Sequence, residues 1–321
     1  MIKEINVLSW GGGTQSTALL LLFLNNGIID ENGKPINLDY IMFADTKNEA
    51  SFVYSQVYKV QEYVQKKYGK QIIITSRNKD LISDIEAEKR IKETALNYRR
   101  SEYSDLFQSH ILYFKGLLKT IDLMPFWVRD ENGKVGKTPF KHCTIEYKVQ
   151  QVMREIKKRE NIMRFDKRKQ HVNFYLGFTV DEMQRLKDNP KSYASNRTPL
   201  VDMNWSKQNC ITYVEQEMGF KPVSSVCNMC FANDFDRCYN VFKNDLVGWK
   251  RLVDLDDAME NKPKNHSLKQ ACYMFKWQAV LGERLKNIDM EDLKVNQKSK
   301  MQQLNIFETE EAMACLGGCF L

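Results

Sequence analysis

Ser9-Trp10-Gly11-Gly12-Gly13-Thr14-Gln15-Ser16-Thr17 lies between two apolar runs and reads as a turn from a strand into a helix. Ile5, Val7 and Leu8 before it predict a short buried strand; Ala18 to Leu24 after it predict a helix with almost no polar break. Three glycines free the backbone to turn sharply and gather several N–H groups near one point. The following helix adds its unpaired first-turn amides and the positive end of its dipole. Such a corner suits a phosphate or pyrophosphate, with Ser9, Thr14, Ser16 and Thr17 supplying hydroxyls. A Walker A string, G-x-x-x-x-G-K-[ST], does not occur, and Ser16 stands where the third glycine of a dinucleotide fingerprint belongs.

Working outward, strand and helix patterns alternate through the first half, which predicts a parallel sheet with crossover helices. Strands are expected over 38–43, 71–75 and 173–177. Helices are expected over 52–68, from about 81 to 119 with breaks near 98–105, and over 145–159. Asp130 to Lys134 reads as a turn joining two short strands. From about Ser206 the pattern is helical and cysteine-bearing. A soft boundary near 200 divides a phosphate-binding α/β region (1–200) from a helical C-terminal region (201–321).

The chain of 321 residues is 43% apolar, enough to fill a sizeable core. No signal-peptide pattern opens it and its apolar runs are too short to cross a bilayer, so a soluble cytoplasmic protein without a membrane partner is expected. Eight cysteines in that compartment point to metal binding or sulfur chemistry rather than structural disulfides. The net charge of +7 is uneven. Residues 154–169 hold eight basic side chains against three acids, a net +5, and form a candidate patch for tRNA or DNA beside the plainer option of a solvated helix face.

Several side chains are candidates for chemistry. Asp45 follows the second strand, where carboxylates of parallel sheets meet magnesium or ribose. Cys143 precedes Lys148 by about one helical turn, and the ammonium is expected to favour thiolate. Asp181, Glu182 and Arg185 cluster just past a strand end, where Thr179 and Glu182 also fit a capping box. Cys227-Asn228-Met229-Cys230 can chelate a metal or cycle as a dithiol. Cys143 is the leading third sulfur, with Cys238, Cys210 or Cys272 as a fourth. A four-iron cluster, zinc and free redox thiols all remain open.

Gly11-Gly12-Gly13-Thr14-Gln15-Ser16 resembles the PP-loop of the ATP pyrophosphatase superfamily, S-G-G-x-D-S, with Gly11 for the first serine and Gln15 for the aspartate. Asp45-Thr46-Lys47-Asn48-Glu49 is similar to the D-T-G-x-E string of its PAPS reductase-like branch, with Lys47 for glycine. The segments C-T-x-E-Y-K at Cys143, L-G-x-x-x-D-E-x-x-R at Gly177, Thr198-Pro199-Leu200-Val201-Asp202 and Ser225-Val226-Cys227-Asn228-Met229-Cys230 follow in order. Over residues 5 to 250 the chain looks like the PAPS reductase-like proteins met in phage and mobile bacterial DNA. His142 replaces a usual arginine, and Phe231 a frequent proline.

The resemblance implies a Rossmann-like fold of the adenine nucleotide alpha hydrolase type, binding ATP or PAPS, with Mg2+. It implies adenylation of an acceptor, such as a nucleic-acid base, with pyrophosphate release and cysteine-borne sulfur transfer. The alternatives are a thiol-dependent reductase of phosphoadenylyl sulfate and a non-catalytic nucleotide- or nucleic-acid-binding protein. A homodimer stays open. The tail thiols Cys315 and Cys319 resemble the C-terminal cysteine of PAPS reductases in position, but the E-C-G-L string of that tail is absent.

Overall fold

The computed structural model describes residues 2–77, 105–117, 125–138 and 143–296. Most of the helix expected over 81–119, His142 and the tail thiols Cys315 and Cys319 lie outside them.

Strand β1 (Lys3–Ser9) leads through the glycine loop into α1 (Thr14–Leu24). The helix starts four residues earlier than its apolar run. Its polar first turn bonds back on itself, the Ser16 and Thr17 hydroxyls donating to the Gly13 carbonyl at 3.3 and 2.7 Å. Then come β2 (Tyr40–Asp45), α2 (Ser51–Tyr68) and β3 (Ile72–Ser76). Helix α3 (Asp105–Phe114) precedes a hairpin of β4 (Trp127–Arg129) and β5 (Val135–Lys137). The hairpin closes on Asp130, whose carboxylate accepts the amides of Asn132 and Lys134 at 3.0 and 2.8 Å. A π-helical turn (Ile145–Val149) runs into α4 (Gln150–Arg159), followed by β6 (Gln170–Tyr175) and β7 (Ala194–Arg197).

Five strands pair in parallel in the order β3-β2-β1-β6-β7. The chain therefore builds outward from β1 on one side, then returns to β1 and builds on the other. Ligand crevices of open α/β sheets form at such a reversal, outside the carboxyl ends of the strands. Alternation along the strands sends Ile5, Val7, Val172 and Phe174 to one face, where Val152 and Ile156 of α4 cover them. The opposite face packs Leu8, Ile41 and Phe43 with α1, which is apolar on nearly every side.

The C-terminal part is mainly helical, with α5 (Pro199–Asp202), α6 (Lys207–Met218), α7 (Phe235–Asn244) and α8 (Leu246–Glu260). It also contributes a strand, β8 (Ala271–Tyr273), which pairs antiparallel with β4. Three residues carry too little pattern to register as a strand in sequence. One apolar cluster takes residues from both sides of position 200, Leu19 and Phe43 together with Leu255 and Phe275. Among the described residues no helix is long and apolar enough to cross a membrane.

Buried Asp256 holds this C-terminal part together. It accepts from Gln278 and Arg284 side chains at 2.8 and 3.1 Å and from the Leu285 amide at 2.8 Å. Removing one partner of a buried ion pair leaves the other charge uncompensated. Asp256→Ala is expected to cost about 3–5 kcal/mol in urea unfolding. A loss under about 1 kcal/mol, the range of an exposed pair, would contradict this.

Candidate functional site

The glycine loop is held by contacts that leave no room for side chains. Gly12 has φ +72°, and a Cβ there would meet Val57 Cγ2 at 2.9 Å. A Cβ on Gly13 would meet the Ser225 amide nitrogen at 2.8 Å, and one on Gly177, past β6, would meet Ser16 Cα and N at 2.7 Å. Gln56 of α2 staples the loop to residue 223. Its amide donates to the Gly12 and Val223 carbonyls at 2.7 and 3.0 Å and accepts from the Val223 amide at 2.7 Å.

No side chain caps α1. The Gly12, Gly13 and Thr14 amides take no partner among the described residues. Two of the expected hydroxyls are directed inward instead. Ser16 Oγ accepts from the Gly11 amide at 3.1 Å, and Thr17 Oγ1 accepts from the Trp10 indole at 3.1 Å. Ser9 ends β1 opposite Met42. The corner therefore offers main-chain donors more than hydroxyls.

Asp45, at the carboxyl end of β2, accepts from the Tyr54 hydroxyl and the Lys47 amide, both at 2.7 Å. Lys47 sits at φ +56°, where the resembling string has glycine. The chain then brings Glu49 inside. Glu49 accepts from Ser225 Oγ at 3.2 Å, and burial pushes its carboxyl up, opposed by the Lys148 charge and the Ser225 hydrogen bond. Its backbone bridges Cys227, and the Asn228 amide donates to the Asn48 carbonyl at 2.8 Å. Glu49, Ser225 and Gln56 were not singled out as site residues in sequence. The signal for Glu49 was present as the last letter of the D-T-x-x-E string.

The 3-10 turn Val180–Arg185 separates its two acids. Asp181 accepts from the Lys207 amide at 2.6 Å and so serves the start of α6. Glu182 accepts from Gln15 Nε2 at 3.0 Å and pairs with Arg185, whose guanidinium lies 5.0 Å from the Phe178 ring centroid. The capping box open to Thr179 and Glu182 does not form, since Thr179 makes no side-chain cap. Tertiary partners take the carboxylate instead.

Cys227 and Cys230 interact electrostatically with Glu49, and Cys143 and Cys238 interact with Cys230. Burial pushes the thiols of Cys143, Cys227 and Cys238 up, and the neighbouring Cys230 adds to this in each. Cys143 begins the segment whose π-helical turn carries Lys148. The expected thiolate is not favoured there. Burial raises Cys143 to about 11, and Lys148 lowers it only in part. Burial likewise takes Cys227 to about 12, while Asn48 Nδ2 donates to its sulfur at 3.4 Å. Cys210 stands apart, beside Asp181 and Glu182, and Cys272 beside Arg284.

Among the described residues no group of three or more His, Cys, Asp or Glu side chains is arranged to hold a metal ion. The carboxylates of Asp45, Asp181 and Glu182 each accept from protein donors. The basic stretch 154–169 lies at the other end of the sheet, where β6 begins. Compared with known proteins, the chain matches no protein-family model and no curated sequence.

With its thiol at about 11, Cys143 is about 0.1% thiolate at pH 8. Its iodoacetamide rate, followed by mass spectrometry of the Cys143 peptide, is expected to rise about tenfold per pH unit until near pH 11. Lys148→Met removes an opposing charge and moves that plateau higher. A plateau below pH 9 would show that charge outweighs burial.

Proposed function

We propose that the crest of the sheet binds an adenine nucleotide through the glycine loop, in a PP-loop enzyme of PAPS reductase-like type. One observation carries this: the uncapped glycine loop lies at the strand-order reversal between β1 and β6, packed against Gly177 with no space for a Cβ. Main-chain donors aimed at one point in a protein interior favour the negative charge of phosphates. The fold is then read as the adenine nucleotide alpha hydrolase type.

The reaction proposed is adenylation followed by sulfur transfer. A carbonyl oxygen of the acceptor, a nucleic-acid base, attacks the α-phosphorus of ATP. The bond to the β-phosphate oxygen breaks and pyrophosphate leaves, its charge held by the loop amides and Arg185. A persulfide, loaded on Cys143 or Cys230 by a sulfur donor, then attacks the adenylated carbon. The C–S bond forms as the C–O bond breaks and AMP leaves. The other of these two thiols then attacks the sulfur of the loaded cysteine, and the S–S bond breaks and frees the thiolated base. The disulfide left behind is reduced by an external dithiol. Cys230 interacts with both Glu49 and Lys148, and Cys143 with Lys148, so these groups can hold the proton that the sulfur must lose. Any Mg2+ would arrive on the nucleotide phosphates, and no step is assigned to it.

Gln15 favours a second reading, since its amide is engaged by Glu182 and it cannot neutralise a cation. A reductase needs the phosphate corner without ATP cleavage. There a thiolate attacks the sulfonate sulfur of PAPS and releases adenosine bisphosphate. A second thiol then displaces sulfite, leaving a disulfide that an external dithiol reduces.

Calorimetry with ATP and with PAPS is expected to give heat, and Gly177→Ala to weaken binding at least tenfold. Pyrophosphate is expected from ATP when tRNA or DNA is present. Sulfite from PAPS with a dithiol, and no pyrophosphate, would replace the first reaction by the second. Nucleotide binding without either product would leave a non-catalytic binder. No heat with either nucleotide would overturn the assignment.

A further inference from the structure

The lower edge of the main sheet carries cations that the nucleotide proposal leaves unused. Strand β6 runs six residues from that edge to the crest, about 20 Å at roughly 3.3 Å per residue. The loop before it holds Arg164, Lys167, Arg168 and Lys169, all exposed, and the end of α4 adds Lys158. Lys191, just before β7, is exposed at the same edge, because Val172 registers with Ala194. The Lys3 amide donates to the Lys169 carbonyl at 2.9 Å and fixes this loop to β1.

The acids nearby are largely committed. Glu160 pairs with Lys3 and accepts from the Tyr40 hydroxyl, while Asp166 accepts the Arg168 amide at 2.9 Å and lies 3.9 Å from its guanidinium. Asp188 offsets one charge. Lys158, Arg164, Lys167, Lys169 and Lys191 make no ion pair among the described residues.

We propose that this edge docks the phosphate backbone of duplex nucleic acid, by charge and without reading bases. Two features select that partner. The aromatic rings of the edge are turned on each other, Phe165 stacking on Tyr193 with centroids 4.8 Å apart and planes at 11°, and Lys157 lies over Phe165. They are not presented for base stacking, as a single-strand groove would require. The large apolar side chains exposed at this edge are Met163, 96% exposed, and Ile2, 51% exposed, too few for insertion into a lipid surface. A duplex carries one charge per about 1.7 Å of axis, and the exposed cations gathered at this edge offer it opposite charge. The proposal does not rest on nucleotide binding at the crest.

Fluorescence anisotropy with a duplex of about 20 base pairs, over a range of salt, tests it. Four to five neutralised phosphates predict a log–log salt slope of about −4. The triple variant Lys167→Gln, Arg168→Gln, Lys169→Gln is expected to weaken binding at least tenfold and flatten the slope by about 2–3. Calorimetric nucleotide binding by that variant should equal the parent's. Unchanged duplex affinity in the variant would overturn the proposal. So would tighter binding of single strands that is lost on Tyr193→Ala, or binding to phosphatidylserine vesicles without binding to duplex.

Discussion

Three backbones meet at the carboxyl ends of β1 and β6 with no space between them for a methyl group. Gly12 lies under Val57, Gly13 against the Ser225 amide, and Gly177 against the first turn of α1. At Gly13 and Gly177 the obstacle is backbone, which no rotamer change relieves, so these contacts fix three loops together. The glycine loop, the turn past β6 and the Ser225–Cys230 segment are placed by one constraint. Gln56 completes it from α2, satisfying carbonyls that the tight turn would otherwise bury unpaired.

Around that corner, burial and charge pull titratable groups in opposite directions, and burial prevails. Lys148 acts to lower Cys143, Cys230 and Glu49, yet all three are raised, because desolvation is the first cause for each. Raised thiols and a raised carboxyl around one ammonium make a place where protons are kept rather than given up. Sulfur chemistry there requires a partner that removes a proton at the moment of reaction, or a change in packing that admits water. Glu49 is a carboxyl that interacts with both Cys227 and Cys230, which ties the loop after β2 to the titration of those thiols.

Local chemistry was legible in the sequence, and tertiary competition was not. The strand–glycine–helix unit and the Asp130 hairpin are written in residues adjacent along the chain, and both form where expected. Strand β7, Ala-Ser-Asn-Arg, has no apolar alternation and is held by its pairing with β6, so no local signal announces it. Cys143 and Lys148 share a helical segment as their spacing suggests, but the desolvation that sets the thiol comes from residues far away in sequence. Cys143, Cys227 and Cys238, the three thiols that interact with Cys230, were named from spacing and resemblance; that Asp181 would turn away to α6 was invisible.

Gln15 shows how one side chain redistributes charge in the corner. Its amide donates to Glu182 at 3.0 Å, and Glu182 is also paired with Arg185. An aspartate at position 15 would bring a second carboxylate toward the first, and two carboxylates sharing a site cannot both stay ionised without a cation between them. Glutamine removes that conflict and turns the contact into a hydrogen bond. The negative charge of the corner then sits on the β6 side, already neutralised by Arg185, while the loop itself stays neutral. A neutral loop rimmed by main-chain donors repels an incoming phosphate less than an acidic one, so the substitution shifts the corner toward holding anions and away from holding cations.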